Sequence, residues 1–311
     1  MFSFFKKKSE VTNIPEWASL FDSKEYPLFI KEIDNYFKKS RIQYEIGDGQ
    51  IEIIEKVSEF GFSNLGLGNV AQVCKQEGKK YYKAIITEHF NSMIKANKFE
   101  KEFSTIADNF EKVKKYIAVR LYDNEYVAHI GKENSIGNDF AGDIYAMIVY
   151  DFPHSVVSIN PDQIIPWNKT VDELFEIGIA NIKAKYPLSI KKLAFGEFSI
   201  WFVQGEHFFT PNIVFDLENW QELIGSKGSL VGLPHRHSAI IYPIENLEAV
   251  KAINVIIPVV YGMNQEGPGS LSNNLFWYKD KTFATLPYKI DVEKFQFLPP
   301  DNFVEMLNEL K

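Results

Sequence analysis

The sequence predicts an α+β protein of two mixed units, each a largely antiparallel sheet packed with helices, and three observations predict it. Apolar positions switch repeatedly along the chain between helical spacing and strand alternation. Hairpin signals join many of the strands, which opposes the strict βα alternation of a parallel sheet. The 311 residues, 45% apolar and 24% charged, suit two domains of ordinary size with a substantial core.

In the first unit, residues 1–130, positions 26–39 place Leu28, Phe29, Ile33, Tyr36 and Phe37 at helical spacing. Residues 42–55 alternate about Asp48-Gly49, a hairpin signal because a type I′ turn takes positive φ at both central positions. That turn sets Ile46 opposite Ile51 and Tyr44 opposite Ile53. A strand is predicted near 57–62, and Asn69 opens a helix with Gln72 as its capping-box partner. Helices follow over 81–93, with Tyr82, Ile86, His89 and Phe90 on one side, and over 99–113. Strands at 116–122 and 125–129 close the unit.

Residues 131–142 are polar and glycine-bearing without an apolar period, which marks a boundary. The second unit, residues 143–311, begins with a near-continuous apolar strand over 144–152, the pattern of a strand covered on both faces. A shorter strand is predicted over 156–159. Thr170 with Glu173 starts a helix carrying Leu174, Ile177 and Ile182. Residues 198–203 and 208–210 read as a hairpin about Gly205-Glu206, and 229–233 and 238–243 as strands. A helix over 247–257 is expected to end or kink at Pro258. Strands at 275–278 and 282–286 and a helix over 303–310 complete the chain.

A net charge of −7 gives the chain no electrostatic reason to seek a phosphate backbone, so nucleic acid is not an expected partner. No apolar run approaches the roughly 18 residues of a membrane span. Met1-Phe-Ser-Phe-Phe-Lys-Lys-Lys places apolar residues ahead of the lysines, the reverse of a signal peptide. Cys74, beside Val70, Ala71 and Val73, is the only cysteine and reads as a buried, inert thiol. Together these features predict a cytoplasmic protein with no membrane partner.

Few residues group in a way that demands a particular chemistry. Gly66-Leu-Gly68-Asn-Val-Ala71 matches a G-x-G-x-x-A dinucleotide pattern. Glu88, at the spacing of the ribose-binding acid, lies inside a helix, so no cofactor is expected. Pro234-His235-Arg236-His237 is the best local candidate. His235 and His237 would point to one side of a strand, as an H-x-H metal pair does, with His207, Glu206 or Asp216 as a possible third ligand. The competing reading is a strand end capped by histidines, with Arg236 paired to a carboxylate. No G-x-S-x-G elbow occurs, and His89 reads as a hydrogen-bonded core residue.

The aromatic share is the other signal. Trp201, Phe202, Phe208 and Phe209 crowd one segment, and Phe276, Trp277 and Tyr278 another. Strand neighbours face opposite sides, so either both faces are covered or a patch is left for another molecule.

From about residue 145 to 287 the order of landmarks resembles the YtpQ-like family of bacterial proteins. The matching pieces are Ile148-Val-Tyr-Asp-Phe-Pro-His-Ser155, the helix with Leu174 and Ala180-Asn181-Ile182, and Gly228-Ser-Leu-Val-Gly-Leu-Pro-His-Arg236. The apolar strand over 239–242 and Pro268-Gly-Ser-Leu-Ser272 also fit. The resemblance implies a cytoplasmic bacterial protein with an α+β domain and supplies no catalytic residues. Gly228, Pro234 and Arg236 are its notable positions, the last because a charged group at a strand edge can hold a carboxylate.

Two functions are therefore expected. The first is a non-enzymatic protein-binding or accessory role, with Trp201, Phe209, Trp277 and Arg236 as binding residues. The alternative is a metal-dependent, hydrolase-like enzyme centred on His235, Arg236 and His237.

Overall fold

The computed structural model describes residues 14–54, 59–196, 198–266, 269–291 and 294–310. Residues 1–8, 55, 57, 58 and 268, which entered the readings above, lie outside them. The chain divides into Met1–Phe103 with Pro153–Ser155, and Ser104–Phe152 with Val156–Lys311. Each unit mixes helices with antiparallel sheet, the α+β class that the sequence predicts.

In the first unit, α1 (Glu25–Ser40) precedes the three-stranded sheet β1 (Tyr44–Ile46), β2 (Gln50–Ile53) and β3 (Asn64–Gly66), followed by α2 (Gly68–Glu77) and α3 (Tyr82–Ser104). The hairpin register is the expected one, Tyr44 opposite Ile53 and Ile46 opposite Ile51. Only Gly49 takes positive φ (70°), so the turn is not type I′. Residues 59–62, expected as strand, form a turn and bend, and the third strand is β3. No capping box forms at Asn69: α2 begins at Gly68 behind Leu67, without a side-chain cap. The helices expected over 81–93 and 99–113 are largely one, α3, because 94–98 holds no breaking residue. Phe29, Phe37, Ile51, Val70, Cys74 and Phe90 share one core, where burial pushes the Cys74 thiol up to about 12. The Gly66–Gly68 turn leads from an antiparallel strand and Glu88 stays within α3, so no dinucleotide unit forms here.

The second unit opens with α4 (Phe110–Val113), β4 (Ile117–Asp123), α5 (Asn124–Ile130), β5 (Gly137–Ala141), β6 (Ile144–Asp151) and β7 (Val156–Ser158). The sheet order is β4-β6-β5, with β7 also on β6. Segment 131–142, expected as a boundary, thus lies inside this unit. It lacks an apolar period because β5 is an edge strand exposing Asn138 and Asp139. Residues 125–129, expected as strand, are helical, since the Asp123 carboxylate accepts the Tyr126 N–H (2.7 Å) and caps α5.

Next come α6 (Pro161–Ile164), α7 (Val171–Lys185), β8 (Ser189–Phe195), β9 (Phe198–Gln204), β10 (Ser229–His235), β11 (Ser238–Pro243) and α8 (Glu248–Glu266). They are followed by β12 (Leu275–Lys279), β13 (Thr282–Leu286), β14 (Tyr288–Asp291), β15 (Lys294–Phe297) and α9 (Asp301–Asn308). The Thr170–Glu173 capping box forms as expected. Among the described residues, one antiparallel sheet runs β13-β12-β10-β11-β9-β8. The partner of β9 is therefore β8, and Phe208–Thr210 leads instead into a 3-10 segment, Thr210–Phe215, that contains Pro211. Leu230, Ile240, Leu275 and Trp277 meet Ile253, Ile256 and Val260 of α8 on one face of this sheet. Val231, Leu233, Ile241, Phe276 and Tyr278 meet Val119, Leu121 and Ala146 of the smaller sheet on the other. Both faces are covered. Among the described residues no helix is long and apolar enough to cross a membrane.

Candidate functional site

The histidine hairpin sits where β10 hands over to β11. His235 pairs with Ser238, so Arg236 and His237 are the turn itself, not continued strand. The expected H-x-H pair on one strand face is therefore not formed. A β-bulge between Gly232 and His235 re-aims the end of β10. The loop from Gly269 locks it from outside: the Arg236 N–H donates to the Gly269 carbonyl (3.1 Å) and the Leu271 N–H to that of Pro234 (2.9 Å). The Asn264 side chain, on α8, donates to the Pro234 carbonyl as well (2.9 Å). Gly269 has φ +71°, and a Cβ there would lie 2.6 Å from Arg236 Cδ, so only glycine lets the arginine stem lie this close.

The imidazoles are engaged within this turn. The His237 N–H donates to His235 Nδ1 (3.2 Å), and His235 Nε2 lies 3.3 Å from Ser238 Oγ. The Arg236 Nε–H donates to His237 Nε2 (3.1 Å). These bonds occupy the lone pair of each neutral ring, the electrons a metal or a proton would need. Burial, and then the Arg236 charge, hold both rings below the ordinary histidine range, His237 down to about 4. His207 is also lowered by burial; its Nδ1 accepts the Phe209 N–H (3.1 Å) and its buried Nε2 has no partner. His207, His235 and His237, with Glu206, line a groove of about 630 Å³ that Phe202 and Met263 also border. Asp216, the other possible ligand, is held by Lys183 (2.6 Å), Asn219 and Trp220. Among the described residues no three His, Cys, Asp or Glu side chains converge on a metal position.

Arg236 faces a different set of neighbours. Its guanidinium lies over the Phe208 ring, 4.3 Å from the centroid. Arg120 of β4 lies over the same ring at 5.3 Å and over Tyr122 at 4.5 Å. Tyr122 in turn stacks on Tyr126 of α5 (4.9 Å, 12°). Both arginines are half-buried, and Arg120 Nε is buried with no hydrogen-bond partner. Burial, then the charge of Arg120, bring Arg236 down to about 10, still cationic at neutral pH. No carboxylate lies within ion-pair distance of either guanidinium among the described residues, so the expected pairing of Arg236 is not made.

The aromatic candidates separate clearly. Phe209 (1% exposed) and Trp277 (6% exposed) are core residues, the latter with its indole N–H on the Lys227 carbonyl (2.9 Å). Neither offers a surface for a partner. Trp201 is half-buried under Lys192 and packs against the core. Sequence reasoning missed Arg120, Tyr122 and the bracketing role of Phe208. One signal was present: Arg120 is a charge in the middle of the apolar strand Ile117-Ala-Val-Arg-Leu. His89 keeps Nε2 buried and without a partner among the described residues, so the hydrogen bond expected of it is not made at that nitrogen.

No protein-family model, no curated protein and no solved structure matches this chain.

Proposed function

We propose that this chain is a non-enzymatic binding protein whose recognition centre, at the tip of β10 and β11, takes an anionic group. The observation that carries this reading is Arg236: a half-buried, charged guanidinium stacked on Phe208, with no carboxylate among the described residues within ion-pair distance. A buried charge without a partner is unfavourable, and an anion arriving from outside relieves it. The hydrolase reading is weaker because His235 uses its lone pair on the His237 backbone N–H and His237 uses its own on Arg236.

Thermal unfolding in acetate, sulfate or inorganic phosphate, against chloride at equal ionic strength, tests the reading. At least one oxyanion is expected to raise Tm, and Arg236→Gln to abolish the rise. Absence of any oxyanion-specific rise overturns it. Equimolar zinc uptake that is lost in a His235→Ala/His237→Ala protein would restore the hydrolase.

A further inference from the structure

Only three of the 34 cationic side chains of this chain are arginines: Arg41, Arg120 and Arg236. Two of the three, distant in sequence, converge on the single ring of Phe208. Lysine serves the solvated surface as a compact point charge. Arginine adds a planar fork of donors that matches oxyanions bidentately, and it stacks on aromatic faces. Arg120 enters from the middle of β4, between buried Val119 and Leu121, so the strand fixes its stem. Arg236 is held by the turn, and its Nε is committed to His237, a bond that does not use the two terminal nitrogens of the fork. Arg120 Nε is buried and lacks an acceptor among the described residues. Two like charges on one ring repel; the Phe208 and Tyr122 ring faces offset part of that, and no carboxylate among the described residues lies within ion-pair distance of either.

Resting on the binding reading above, we propose that Arg120 and Arg236 together bind the dianionic phosphoryl group of a small phosphate monoester, with Phe208 as the floor between them. The count of charges selects the ligand. A phosphoryl group brings a charge of about −1.5 to −2 near neutral pH and three strong acceptor oxygens, whereas a carboxylate brings one charge. The surplus oxygen suits the orphaned Nε of Arg120. The stacked Tyr122 and Tyr126 rings beside Arg120 give the site an apolar wall. A small ligand fits better than a polyanion, because the half-buried arginines sit on a chain of net charge −7 that repels extended phosphate backbones.

Calorimetric titration of the full chain with inorganic phosphate, glycerol phosphate, acetate and a phosphoserine peptide, at fixed ionic strength, tests this. Phosphate and glycerol phosphate are expected to bind at least about tenfold more tightly than acetate. Arg120→Gln and Arg236→Gln should each weaken phosphate about 10- to 100-fold, the loss of one charge-assisted contact. Arg120→Lys and Arg236→Lys, which keep the charge and spare the fold, should also weaken it, and Arg41→Gln should not. Equal affinity for acetate and phosphate would overturn the phosphoryl assignment while leaving anion binding intact. Binding of the phosphopeptide alone would overturn the small-ligand assignment. Phosphate binding indifferent to both Arg120 variants would remove Arg120 from the site. Failure of every anion to bind would overturn this inference and the reading beneath it together.

Discussion

Two charged clusters of the second unit resolve the same electrostatic problem in opposite ways. At the end of β6, Asp151 is 6% exposed and complete: Lys185 Nζ donates to Oδ2, and the Tyr186 hydroxyl lies 3.0 and 3.1 Å from the two oxygens. Both partners come from the close of α7, so one helix end neutralises one strand end. At Phe208, two guanidinium groups gather and no carboxylate among the described residues answers them. A charge neutralised from within the chain holds the architecture together, and one left open is available to a ligand. The comparison makes the first cluster intolerant of losing a member and the second tolerant.

The largest effect should come from the closed cluster, and it should be lopsided. The Lys185 side chain is 48% exposed and that of Asp151 7%. Lys185→Met strands a buried carboxylate and is expected to cost about 3 kcal/mol in urea unfolding. Asp151→Asn frees a lysine that can turn to water, at a cost of about 1 kcal/mol. The reverse order would break the distinction between the buried and the solvated partner.

A smaller effect should appear on acidification. His235 and His237 have folded pKa values below the ordinary 6.5, His237 about 4. Between those values the unfolded chain binds more protons than the folded one, so stability is full above 6.5 and falls as the pH approaches 4. Allowing for solvent screening, the loss from His237 is on the order of 1 kcal/mol, and His235 adds to it in the same direction. A His237→Asn protein should show a shallower decline over that window. An identical decline would mean that His237 does not resist protonation beside Arg236.

How far the sequence reveals these sites depends on how local each feature is. The register about Asp48-Gly49, the Thr170–Glu173 cap and the covered strand β6 are set by residues close in sequence, and all three were legible. The extent of α8 was not. Pro258 costs a helix about 3 kcal/mol, yet α8 runs on to Glu266 because Val260 and Asn264 are still buried beyond it. Residues 125–129 have strand-like composition, but a single Asp123 cap decides for helix. Arg236 was visible as a charge beside Pro234. Its neighbourhood was not, because Phe208 and Arg120 reach it through β4 and the loop after β9, contacts that no local spacing encodes. The H-x-H strand geometry did not form for a related reason: alternation along a strand was assumed where Arg236 and His237 form the turn.

The most direct test of the contrast is the unfolding free energy of Arg236→Met in buffer free of oxyanions. Methionine keeps an apolar stem against Phe208 and Gly269 while removing the buried charge and its repulsion from Arg120. Stability within about 0.5 kcal/mol of the native chain, or above it, is the expected result. A loss of about 2 kcal/mol or more would show that Arg236 is neutralised from within like Asp151, and would contradict the account.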